Sequence, residues 1–203
     1  MGRPSLREDL LTAGLKVMFK SGYLGASVRD ICAAANAPQG SFTNHFRSKE
    51  DFVREVLERY FANNKTVVSA AMADPSRTPR QRLRRYLDVI SEILEAAKWN
   101  RGCLIGDLSL EASLQSKALR KRLEEIFCEW RMPFADCIAE AQAAGEIDAG
   151  FAPVELAEFL LASWQGAILR MKVEQGPDAL ERFKKIAFAT VFKDKTKEQK
   201  EKK

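Results

Sequence analysis

The thiols and the single imidazole are the side chains best suited to metal or nucleophilic chemistry: Cys32, Cys103, Cys128, Cys137 and His45. A structural zinc site draws on closely spaced Cys and His pairs. Here no two cysteines stand near enough for a Cys-x-x-Cys pair, and one histidine does not complete a set. No metal and no cofactor are expected. Nucleophilic catalysis would need a base beside a thiol or hydroxyl and oxyanion donors opposite it. The lone imidazole lies in a basic amino-terminal segment, and neither a glycine-rich phosphate loop nor a Gly-x-Ser-x-Gly elbow occurs. An enzyme is the least favoured reading, with a carboxylate-based chemistry left open.

One thiol stands apart. Cys103 sits in Arg101-Gly102-Cys103-Leu104-Ile105-Gly106, a glycine-flanked bend in which a thiol could stay accessible. Thiols react as thiolates, and a nearby cation lowers their pKa. The candidate cations are Arg101 beside it and Lys172, since Arg170 and Lys172 are the only charges between Phe159 and Val173. The plainer alternative is a small residue at a tight helix junction.

A second set of residues offers hydrogen bonds rather than bond-breaking: Ser27, then Gln39, Ser41, Thr43, Asn44, His45 and Lys49. They fall in the most basic stretch of the chain. Of the formal charge of +5, residues 1–49 carry a net +4 and residues 193–203 a net +3, which leaves residues 50–192 slightly acidic. A basic segment rich in short polar side chains suits a polyanion such as nucleic acid. The lysine-rich tail lacks apolar anchors and reads as a disordered, solubilising end.

The elements that must position these residues are helices. Apolar residues recur at three- and four-residue steps, and no sustained alternation of period 2 occurs, so an all-α fold of about nine helices is expected. Ser5 with Glu8 opens a first helix that stops at Gly22. Ser27 with Asp30 opens a short second helix that turns Val28, Ile31 and Cys32 inward and ends near Ala35. Asn36 tolerates the left-handed backbone of a tight turn, and Pro38 presets φ for another short helix through Phe42 and Phe46. Ser48 with Asp51 opens a fourth helix. Two short capped helices joined by a tight turn describe a helix-turn-helix.

The segment GYLGASVRDICAAANAPQGSFTNHFRSKEDF resembles the DNA-binding signature of the tetracycline-repressor-type (TetR) family. The likeness runs from Leu10 to Phe52 and includes Phe19, Gly22, Tyr23, Ile31, Gly40 and the His45, Phe46, Lys49 closing run. It departs from the family pattern at Asn36, where a turn glycine is usual, at Pro38, where a capping serine is usual, and at Thr43, where a tyrosine is usual. The resemblance implies a DNA-binding head over residues 1–50, a helical ligand-binding and dimerisation body over 51–192 and a tail over 193–203. In a helix-turn-helix the second helix enters the major groove. Gln39 and Ser41 are thereby assigned to base edges, with Gln39 able to pair adenine through N6 and N7. Ser27, Thr43, Asn44, His45 and Lys49 are assigned to phosphates. His45 has a second reading, packing half-buried between Phe42 and Phe46.

In the body, Leu83, Tyr86, Leu87, Ile90 and Leu94 make one core stripe. Leu119, Leu123, Ile126, Phe127, Trp130, Phe134, Cys137, Ile138 and Ala141 make another, with Cys128 one step off it. The helices beginning near Pro153 and Pro177 are apolar on more than one face. In the first, Leu156, Phe159, Leu160, Trp164, Ile168 and Met171 form one band, and Leu161 with Leu169 a second. Such helices are buried on both sides, which predicts a homodimer through residues 153–173 and 177–192, as the family's plan also implies.

The GCLIG segment with its later lysine is similar to the electrophile-responsive, NemR-like branch of the family. That likeness implies Cys103 as sensor and Lys172 as the cation tuning it. Without it, the sensor is a pocket for a small apolar effector lined by residues such as Trp130 and Trp164. No stretch approaches the length of a membrane span and the opening residues lack an apolar signal region, so a cytoplasmic protein with reduced thiols is expected. The leading expectation is a dimeric transcriptional regulator, by the family's habit a repressor, on a palindromic operator. A helical adaptor with a degraded DNA head, judged from Pro38 and Thr43, is the alternative.

Overall fold

The computed structural model describes residues 5–194, so the lysine-rich tail lies outside the described residues apart from Lys193 and Asp194. Nine helices and no strand occur among them: α1 Leu6–Gly25, α2 Val28–Ala34, α3 Gly40–His45, α4 Lys49–Met72, α5 Pro79–Ala96, α6 Leu104–Gln115, α7 Lys117–Ala143, α8 Pro153–Glu174 and α9 Asp178–Ala189. No helix among the described residues is long and apolar enough to cross a membrane.

The boundaries follow from local chemistry. Ser5 caps α1 by accepting the Glu8 N–H, and Thr78 with Gln81 forms a reciprocal capping box ahead of Pro79, which occupies the first turn of α5. These side chains satisfy amide donors that have no partner inside the helix. At Gly22 the backbone leaves helical geometry (φ 69, ψ −174) and only a short turn follows to Gly25. The first helix therefore breaks where the sequence places its stop, with one turn appended. Asn36 has φ 51, the left-handed turn expected of it.

Contacts divide the chain into two compact units. The first contains the chain up to Asn64 together with Cys103–Ile126, that is α1 to α3, α6 and parts of α4 and α7. In it α1 packs on α2 and on α6, around Leu10, Met18, Ile31, Phe52 and Leu57. The ring of Phe52 lies so close to Gly14 that a Cβ there would overlap it.

The second unit contains Lys65–Gly102 and the chain from Phe127 onward, with α8 packed on α9 and α9 on α5. Its core holds Leu83, Tyr86, Leu87, Phe134, Ile138, Leu160, Trp164 and Met171.

Two stripe assignments need correction. Phe127, expected on the buried face of α7, is 37% exposed, and on α8 the roles of two residues exchange: Phe159 is 47% exposed while Leu161 is buried. The α8 exchange has a physical reason: a helix apolar nearly all round carries no period that says which face turns inward, so neighbouring elements decide.

Candidate nucleic-acid interface

The head is assembled from short-range bonds. Ser27 Oγ accepts the Asp30 N–H (3.1 Å) and donates to Asp30 Oδ2 (2.5 Å), while the Ser27 N–H donates to the same carboxylate (3.4 Å). These bonds hold the Asp30 carboxyl below its ordinary pKa, the Ser27 hydroxyl contributing most. After α2 the Ala37 N–H bonds to the Cys32 carbonyl (2.9 Å) across the left-handed Asn36, and the Ser41 N–H bonds to the Pro38 carbonyl (2.9 Å). Pro38 thus begins the turn that leads into α3. Gln39, rather than Pro38 where the family has its capping serine, holds the capping place, with no side-chain cap bond.

What orients α3 is a cluster of three rings. Phe42 and Phe46 are each 3% exposed and meet Phe52 of α4 at centroid distances of 5.1 and 4.8 Å. With that edge committed inward, Gln39, Thr43, Asn44 and His45 are exposed and Ser41 is partly so. Ser27 is exposed at the start of α2. These six of the seven residues assigned to DNA are therefore wholly or partly exposed on the first unit.

Three of the seven differ in detail from expectation. His45 is exposed, so its reading as a half-buried packing residue fails; its ring only approaches Phe46 edge-on at 6.3 Å. Thr43 donates its hydroxyl proton to the Gly40 carbonyl (2.9 Å), which leaves it an acceptor and weakens it as a phosphate donor. Lys49 donates to the Tyr23 carbonyl (2.6 Å) and lies 4.8 Å from the Tyr23 ring centre. Burial lowers its pKa, against the raising effect of Glu111. An ammonium has three donors, so one of them is spent within the fold. Sequence reasoning passed over Arg29 and Arg47 as individual contacts, though both are exposed, Arg29 in the first turn of α2 and Arg47 just after α3. The signal was the charge excess itself, in which they were only counted.

The sensor residues are split between the units. Cys103 takes the N-cap position of α6 in the first unit and is 7% exposed, with the Tyr60 hydroxyl 3.8 Å from its sulfur. The expectation of an accessible thiol is corrected: the glycine flank does not open the bend, because Tyr60 of α4 stands over it. Lys172 is half-buried on α8 in the second unit, where its carbonyl accepts from the Gln175 side chain (3.0 Å). Trp130 and Trp164 are 2% and 0% exposed, and each buried indole N–H has no hydrogen-bond partner. Leaving such a donor unmade costs about 1–3 kcal/mol, which marks both as places where an acceptor is wanted.

The remaining thiols are unlike one another. Cys128 is exposed, Cys32 is buried, and Cys137 is pushed up to about 11 by burial, with its Sγ 3.2 Å from the Pro79 carbonyl. No group of three or more His, Cys, Asp or Glu side chains that could hold a metal occurs among the described residues. In the folded protein iodoacetamide at pH 7.5 labels Cys128 at least about tenfold faster than Cys32, Cys103 or Cys137, as read by peptide mass spectrometry. Fast labelling of Cys103 would show its burial to be wrong.

On α8 and α9 a groove of about 320 Å³ is lined by Phe159, Ser163, Gly166, Arg170, Arg182 and Ile186, among others. Elsewhere on α8, Leu169 and Val173 are also exposed, at 53% and 76%.

A capped bihelical reader with a polar outward face, carried on an all-helical body, defines a helix-turn-helix DNA-binding regulator. The chain belongs to the tetR family of bacterial regulatory proteins. The family model of that description matches residues 10–56, and the model for the tetracyclin repressor-like C-terminal domain matches residues 79–187.

Among curated relatives, the HTH-type transcriptional repressor DhaR of Mycobacterium sp. (strain GP1) is 44% identical over 95% of each chain. The HTH-type transcriptional repressor NemR of Escherichia coli is 26% identical over 86% of this chain and 88% of its own. Among solved structures, the regulatory protein TetR from Rhodobacter sphaeroides superposes with a TM-score of 0.86 at 36% identity, covering 90% of this chain and 97% of that one. The protein is accordingly a transcriptional regulator and not an enzyme, and regulators of this family bind operator DNA as dimers.

Proposed function

We propose that this protein is a cytoplasmic repressor whose head, residues 1–50, reads a pseudopalindromic operator with Gln39 and Ser41. Asn44, His45 and Lys49 hold phosphates, joined by Arg29 and Arg47, while Ser27 and Thr43 reach a phosphate only by giving up the bonds their hydroxyls make to Asp30 and to the Gly40 carbonyl. The body over residues 51–192 pairs two copies through α8 and α9 and binds a small effector that lowers operator affinity. One observation carries the reading: Phe42 and Phe46 commit one edge of α3 to the core, which leaves Gln39, Asn44 and His45 facing out on the helix expected in the groove.

Dimerisation through α8 and α9 is supported by the exposed Phe159 and Ile186 lining a shared groove and by the exposed Leu169 and Val173 on α8. Contiguous apolar exposure of this kind belongs to interfaces. The burial of Cys103 favours a bound effector over direct alkylation, and the partnerless indole donors of Trp130 and Trp164 favour one that brings acceptor oxygens. Release is then a difference of affinities. An effector that binds the DNA-incompetent spacing of the two heads more tightly by about 3 kcal/mol lowers operator affinity about a hundredfold.

A gel shift on two duplexes tests the assignment of roles. Gln39→Ala should lose about 1–3 kcal/mol on the duplex the parent prefers and almost nothing on one altered at the contacted base pair. Asn44→Ala should weaken both alike. Equal losses for Gln39→Ala on the two duplexes would overturn its role as a reader.

A further inference from the structure

The turn after the break in α1 is held from two sides by groups of opposite charge. Glu111, on α6, accepts the Leu24 N–H through Oε2 (2.9 Å), and Lys49, at the start of α4, donates to the Tyr23 carbonyl (2.6 Å). Glu111 also lies against Gly22. A Cβ at that position would stand 2.6 Å from Oε2 and 2.8 Å from Cδ of the carboxylate, on a backbone whose φ of 69 already disfavours a side chain. The two charged groups sense one another, since Glu111 raises the pKa of Lys49 against the lowering effect of burial. Three residues beyond Leu24 comes Ser27, the cap of α2, from which the reader is built. All these residues belong to the first unit.

We propose that Glu111 is a positioning residue for DNA binding: its carboxylate ties the Gly22–Leu24 turn to α6 and so sets where α2 and α3 begin. This rests on the DNA-reading role given above and adds a means of regulating it. The Leu24 amide is oriented by an acceptor 87 residues away, on the helix whose N-cap position is Cys103. A shift of α6 therefore pulls on the backbone that precedes the reader. Gly22 suits this place through its φ of 69, and a side chain there would also push the Glu111 carboxylate aside.

The test uses full-length protein and a duplex that the parent selects from a random pool. Glu111→Ala should weaken binding to that duplex about five- to tenfold, the scale of one ordinary, solvent-exposed hydrogen bond lost, with the thermal midpoint little changed. Glu111→Gln, which keeps an acceptor and the shape, should stay within about threefold. Simple electrostatics predicts the reverse sign, since both substitutions remove a negative charge from a DNA-binding unit.

Two further measurements separate positioning from generic damage. The Leu24 amide should exchange with solvent markedly faster in Glu111→Ala than in the parent, even without DNA. Gly22→Ala should cost less operator affinity in the Glu111→Ala background than in the parent, because the collision is gone and only the backbone strain remains. Unchanged Leu24 exchange together with parental affinity in Glu111→Ala overturns the inference alone. A parent that selects no duplex overturns the DNA-reading role and this inference with it.

Discussion

An Ile186→Asp variant sediments as a monomer and binds operator DNA more than about a hundredfold more weakly than the parent. Ile186 is 54% exposed on α9 and lines the groove shared with α8, so the protomer itself loses little when it changes. In a twofold interface each residue is met twice, and the substitution places two carboxylates in one apolar patch. Desolvating an ion costs several kcal/mol even after relaxation, and Arg170 and Arg182 of the groove offset only part of that. The DNA consequence is larger than the change in the protomer suggests. Two heads on one dimer make the second half-site an intramolecular target, and that advantage of about 10²–10⁴ vanishes with the dimer. Sedimentation and gel shift together check this, with circular dichroism to show that the helices persist. An Ile186→Asp protein that stays dimeric would move the interface elsewhere, and Leu169→Asp on α8 offers an independent trial of the same face.

Asp88→Ala destabilises the fold by about 2–3 kcal/mol, whereas Lys184→Met leaves it within about 1 kcal/mol of the parent. The difference comes from which partner is buried. The Lys184 side chain is 4% exposed and its ammonium meets Asp88 of α5 at 2.9 Å and Glu181 at 2.5 Å, while those carboxylates are 35% and 54% exposed. Removing Asp88 leaves an ammonium inside the second unit with half its counter-charge. Removing the ammonium leaves carboxylates that water can reach. The estimate sits below the range for fully buried pairs because Asp88 is more than a third exposed and solvent screens it, and because Glu181 remains. For a chain of 203 residues the Asp88→Ala loss amounts to roughly 5–10 °C in thermal midpoint, readable by calorimetry. Equal melting of the two variants would mean the pair is not buried as described.

Features that depend on near neighbours in the chain were legible in the sequence. The caps at Ser5, Ser27 and Ser48, the left-handed Asn36 and the inward pair Ile31 and Cys32 all follow from residues within one or two turns. The polar outward edge of α3 was legible for the same reason, since Phe42 and Phe46 stand at helical spacing.

What remained hidden depends on distant partners. Cys103 is covered by Tyr60, 43 residues earlier, and no local pattern announces it. Lys184 looks like any solvated lysine until Asp88, 96 residues away, is placed beside it. The exchange of Phe159 and Leu161 has another cause: on a helix apolar nearly all round, packing rather than period selects the buried residue. Lys49 combines both cases, for its place in the closing run was plain while its bond to the Tyr23 carbonyl was not.

Sequencing the duplexes that the full-length protein enriches from a random pool asks most directly whether α3 reads DNA. A pseudopalindrome is predicted, its half-sites centred one helical turn of about 34 Å or a multiple apart, with one base pair in each half loosened when Gln39→Ala is used instead. A pool that emerges unenriched, or the same motif enriched with equal stringency by Gln39→Ala, would contradict the account.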